Sequence, residues 1–109
     1  MVKYIITAQY TLVDGTVLET EKFVTTGKYE EEALDNASKH CDKTATKKTH
    51  EINDLVTYVY TGEVAKDDKQ IVGDNGITEG PMSEFEANER ILELIEGFPE
   101  TKFEIKEVK

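Results

Sequence analysis

The chain lacks tryptophan, holds one cysteine and two prolines, and sets only 13 lysines and arginines against 23 aspartates and glutamates in 109 residues. Each scarcity closes off a class of explanation. A lone thiol, Cys41, forbids an internal disulfide and makes the reducing cytosol the expected location. No run approaches the roughly 18 apolar residues that a membrane helix needs. The opening Met1-Val2-Lys3-Tyr4-Ile5-Ile6-Thr7 is too short and too polar for a signal sequence. The shortage of cations gives a formal charge of −10, which opposes the counterion release that drives binding to nucleic acid or anionic membranes. Without tryptophan, a sugar ring loses its usual stacking partner.

What is present is enough for one domain. A chain of this length buries roughly two-thirds of its unfolded surface, and its apolar residues, 38% of the total, fall in periodic runs that argue against disorder. Val2, Tyr4, Ile6, Ala8, Tyr10 and Leu12 alternate with polar residues as in a half-buried strand. Asp14-Gly15 turns the chain back through Val17 to Thr25. A two-residue loop would set Glu19 and Glu21 on the apolar face, so a three-residue loop pairing Tyr10 with Leu18 and Ala8 with Thr20 is the expected register.

A first helix is expected from near Lys28, burying Tyr29, Ala33, Leu34, Ala37 and Cys41 at spacings of three and four. Residues 43–54 lack a period and read as helix tail and loop. Leu55 to Ala65 is apolar on both parities, as in a central strand, and Gln70-Ile71-Val72 makes a short one before a Gly73-Asp74-Asn75-Gly76 turn. Ser83-Glu84-Phe85-Glu86 fits a capping box. The second helix that follows is expected to bury Phe85, Ile91, Leu92, Leu94 and Ile95 and to stop at Gly97 and Pro99. A last strand runs from Thr101 to Val108. The expected fold is an α+β two-layer sandwich in the order ββαββαβ, with an antiparallel or mixed sheet of four to five strands and both helices on one face. No internal repeat is visible.

Chemical signatures are absent. His40 and Cys41, adjacent on a helix, point about 100° apart and cannot easily share a site, and His50 has no companion ligand. Asp68 to Glu79 spans the length of a calcium loop, but Gln70 and Val72 occupy positions that need oxygen ligands. No glycine pattern cradles a phosphate. No cofactor, metal or enzymatic activity is therefore expected. Lys39, Lys43, Lys47 and Lys48, lacking interleaved aromatics, serve dipole compensation and solubility rather than nucleic acid.

One feature remains. Residues 79–100 carry seven carboxylates and one cation, Arg90, with Glu86, Glu89, Glu93, Glu96 and Glu100 recurring every three or four positions. Like charges at that spacing cost roughly 0.2–0.5 kcal/mol per pair. Such a row approximates a nucleic-acid backbone and suits a basic protein partner, such as the nucleic-acid-handling enzymes that small acidic inhibitors of the phage type block. Glu86, Glu89, Glu93 and Glu96 are the expected contact residues, with Asp67, Asp68 and Asp74 at a hairpin tip behind them. The alternative is a structural or assembly protein that self-associates through a sheet edge, with the acidic face as mere exterior.

Overall fold

Alternation over residues 2–12 produces β1 (Val2–Leu12), whose Tyr4, Ile6, Ala8 and Tyr10 are buried, in a computed structural model that describes residues 1–108. The reversal that follows is a tight bulged turn. Gly15 takes the left-handed conformation (φ 92°), and the N–H groups of Leu12 and Gly15 donate to Thr16 O and Leu12 O, each at 2.9 Å. The expected register nonetheless fails in β2 (Val17–Gly27). Leu18 forms a second bulge between the pairs Thr11↔Val17 and Tyr10↔Glu19, so Ala8 meets Glu21 and Tyr4 meets Thr25.

Both carboxylates thus lie on the face that alternation reserves for apolar residues. They are tolerated because α1 (Glu30–Ile52) carries polar partners over them, Lys48 and His40. Lys48 pairs with Glu19, and His40 Nε2 lies 2.6 Å from Glu21 Oε1. The Tyr10 hydroxyl donates to the same oxygen at 3.4 Å, and the His40 ring packs on Phe23 with centroids 4.2 Å apart.

Helix α1 absorbs most of residues 43–54, the segment expected to be helix tail and loop. Its buried stripe, Ala33, Ala37, Cys41 and Ala45, simply continues every fourth residue with side chains small enough for a close approach to the sheet. It ends at Asn53, which is left-handed (φ 55°). The next strand, β3 (Val56–Val64), pairs antiparallel with β1 from Leu12↔Val56 to Tyr4↔Val64. The strand order is β2-β1-β3, so β3 is an edge strand and not the central one expected from its composition.

The chain divides at this point into two compact units, Met1–Val64 and Ala65–Lys109. The second contains β4 (Lys69–Gly73), β5 (Thr78–Met82), α2 (Glu84–Gly97) and β6 (Phe103–Glu107), with strand order β5-β4-β6 and every pairing antiparallel. Strand β5 is missing from the sequence-based reading, because Gly80-Pro81 at its centre reads as a breaker. It lies at a sheet edge, where proline is permitted. Ile71, Ala87 and Leu94 form the core of this unit, with Met82, Ile91, Phe103 and Ile105 packed around them.

The protein is therefore α+β, but among the described residues six strands form two three-stranded sheets, each with its own helix, in place of one sheet of four to five strands. Each unit has the order ββαβ, and in each the first strand lies between the other two. This repeat of topology has no counterpart in the amino-acid sequence. Among the described residues no helix is long and apolar enough to cross a membrane.

Candidate functional site

The start of α2 is built by local chemistry. Ser83, itself buried, accepts the Glu86 N–H at 3.3 Å, while Glu86 Oε1 turns back to accept the Ser83 hydroxyl at 2.8 Å and its N–H at 3.4 Å. Glu86 is thus held as a capping residue, its carboxylate directed along the first turn. Gly97 remains helical and is not the left-handed cap its position implied. The chain leaves through Phe98 (φ −136°), whose N–H donates to Leu94 O at 2.8 Å. Glu100 lies beyond the helix and outside its row.

Which face is buried is decided by Ala87. With Ile91 and Leu94 it makes a seam at spacings of four and three, and this seam turns Leu92 and Ile95 away from the core. Leu92 is 63% exposed, Ile95 45% and Phe98 44%. These three recur every third residue and form a sloping apolar band, contrary to the expected burial of Leu92 and Ile95.

Glu89, Glu93 and Glu96 border that band and are all exposed. Leu92 stands three residues after Glu89, next to Glu93 and four before Glu96, so carboxylates flank it on both turns. Neither Glu89 nor Glu96 has a side-chain hydrogen bond or ion pair among the described residues. Glu93 is engaged, its Oε2 accepting from Arg90 Nη1 at 2.7 Å. Arg90 also grips Glu79 of β5 through two bonds, Nε to Oε1 at 2.8 Å and Nη2 to Oε2 at 3.1 Å. The guanidinium holds the Glu79 carboxyl below the usual carboxylate range. The one cation of this stretch is therefore spent on Glu79 and Glu93, at one border of the row.

The aspartates expected at a single hairpin tip are not brought together. Asp67 and Asp68 precede β4 and Asp74 follows it, at opposite ends of a strand roughly 15 Å long. Asp68 pairs with Lys69 at 3.6 Å, and Asp74 ties the β4–β5 turn to the start of β6 by accepting the Lys102 N–H at 3.2 Å.

Unit one holds the remaining chemical groups. Cys41 is fully buried and burial pushes its thiol up, away from the reactive thiolate. His40 is committed to Glu21. Among the described residues no three His, Cys, Asp or Glu side chains converge on a possible metal position. The apolar band beside the acidic row is what sequence reasoning missed; testing Ala87 as a core position would have exposed it. No protein-family model, curated protein or solved structure matches this chain.

Proposed function

We propose that this chain is a small acidic binding module, without enzymatic activity, that docks on a basic protein through the outer face of α2. The observation that carries this reading is the juxtaposition of the apolar band Leu92, Ile95 and Phe98 with the uncompensated carboxylates of Glu89 and Glu96. A surface selected only for solubility has no use for three exposed apolar side chains on one flank. An interface does, because it needs a desolvated apolar centre and a polar rim. The rim here is negative, so the partner supplies lysine or arginine around an apolar patch.

Carboxylates one helical turn apart stand about 5–6 Å from each other, close enough to the spacing of backbone phosphates to occupy a cleft built for nucleic acid. A protein that handles nucleic acid is thus the favoured partner class, and inhibition by occupancy the favoured consequence. The test is an affinity capture from bacterial lysate with the wild type, with Glu89→Lys/Glu96→Lys and with Leu92→Ser, at 50 and 500 mM salt. Recovery of a basic nucleic-acid-handling protein by the wild type, lost in both variants and at high salt, supports the reading. Recovery that ignores both variants and salt refutes it.

A further inference from the structure

Among the described residues the free edge of β3 is the least guarded sheet edge. Natural edges are protected by charges, prolines or bulges, and the other edges comply: β2 has its Leu18 bulge with Glu19, Glu21 and Lys22, β5 has Pro81, and β6 alternates Glu104, Lys106 and Glu107. Strand β3 runs nine residues with Glu63 as its sole charge.

The direction of its backbone groups follows from β1. Leu12 donates its N–H to Thr16 O on the β2 side, so the even-numbered residues of β1 bond to β2 and the odd-numbered ones to β3. Thr57, Val59, Thr61 and Glu63 accordingly exchange hydrogen bonds with β1, while Val56, Tyr58, Tyr60, Gly62 and Val64 turn N–H and C=O outward. The Val56 N–H agrees with this alternation, because it is taken from outside the sheet by Thr49 Oγ1 at 3.0 Å. Among the described residues the N–H groups of Tyr58, Tyr60, Gly62 and Val64 have no acceptor.

Beside this edge runs a groove of about 400 Å³ between β3 and α1, floored by Val56 and Leu55 and walled by Asp42, Ala45, Thr46 and Thr49. Asp42 is the one carboxylate among the described lining residues, and His50 lines the groove as well. The flank of α1 that faces β3 is marked by Ser38, whose Oγ lies 3.0 Å from the Tyr60 hydroxyl, and by Asp42, which accepts the Tyr58 hydroxyl at 2.6 Å. Asp35 and Glu31 fall on the same stripe one and two turns before Ser38. Lys39 is engaged by Asp35 at 3.1 Å, and Lys39 and Lys43 both line the neighbouring depression with Asp42.

We infer that this groove receives an extended basic segment of a protein partner as a fourth, antiparallel strand. A strand satisfies the outward backbone groups. Its inward side chains are a small apolar one level with Val56, and lysine or arginine level with Tyr58, which Asp42 contacts, and with Gly62, which is approached by Leu34, the neighbour of Asp35 in sequence. A second copy of this chain fits less well, because the two-fold axis of an antiparallel β3 pair sets the acidic flanks of both α1 helices face to face. The inference uses no side chain of α2 and goes beyond the role proposed for that helix.

The probe is a capped nonapeptide of threonines with lysine at the second and sixth positions and valine at the eighth, read by amide exchange on the whole chain. The peptide is expected to slow exchange of the Tyr58, Tyr60, Gly62 and Val64 amides at least about tenfold, with Val59 and Thr61 unchanged. The protection is lost with glutamate in place of lysine and with Asp35→Lys/Asp42→Lys, both exposed positions, and it persists in Glu89→Lys/Glu96→Lys. The inference is overturned if the lysine peptide gives no protection at millimolar concentration or the glutamate peptide protects equally. It is also overturned if those four amides are already protected, in proportion to protein concentration, without peptide, since a second copy then fills the edge.

Discussion

The Tyr58 hydroxyl donates to Asp42 Oδ1 at 2.6 Å, and that hydrogen bond, with partial burial, leaves the phenol pushed up to about 12. Burial raises Tyr10 in the same direction. In the unfolded chain these tyrosines ionise near pH 10, so between that value and the folded one the native state retains protons that the unfolded state has released. The stabilisation is complete below pH 10 and is lost as pH rises toward 12. Urea midpoints measured at pH 8, 10 and 11 should therefore fall over the last interval, and Tyr58→Phe should make the fall shallower. An identical slope in the variant would show that Tyr58 titrates normally. Glu21 is the other residue that settles local structure from a distance. Nothing near it in sequence announces that His40, nineteen positions on, will meet it at 2.6 Å, and for that reason the hairpin register was not legible.

Elements were readable in proportion to how local their determinants are. The capping box at Ser83 and Glu86 lies within four residues and formed as expected, whereas β5 was hidden because Gly80-Pro81 has a local meaning, breaker, that its edge position overrides. Of the expected carboxylate row, Glu89, Glu93 and Glu96 are exposed along α2, whereas Glu86 turns back as a cap and Glu100 falls beyond the helix. The apolar band beside them was not legible, because the rotation of a helix depends on what it packs against, and Ala87 contributes too little hydrophobicity to advertise itself beside Leu92 and Ile95. The cap also yields a prediction. Replacing Ser83 by alanine removes the acceptor for the Glu86 N–H and the donor to its carboxylate, at a cost of about 1 kcal/mol, readable as a lower urea midpoint with unchanged slope. Helicity lost in 84–88 but not in 89–97, by carbon chemical shifts, is the expected local signature. Unchanged stability would mean that the observed hydrogen bonds contribute nothing net.

At the scale of the whole molecule, two ββαβ units share a topology but not resources. Residues 1–64 bury Tyr4, Ile6, Ala8, Tyr10 and Val56 against the small-residue stripe of a 23-residue helix. Residues 65–109 rely on Ile71, Ala87 and Leu94 beneath a 14-residue helix. The shorter unit also has twelve carboxylates against six cations, a net −6 that exceeds the −4 of the longer one. A smaller apolar core and a denser self-repelling charge both lower local stability. Native-state amide exchange in rising urea should consequently find Ile71 and Leu94 opening at lower free energy, and with smaller denaturant dependence, than Ile6 and Tyr10. Raising salt from 50 to 500 mM should narrow the gap, since screening relieves the more negative unit more. If the four amides instead converge on one free energy and one slope at every salt concentration, the chain opens only as a whole, and the division into two ββαβ units describes its architecture without governing its stability.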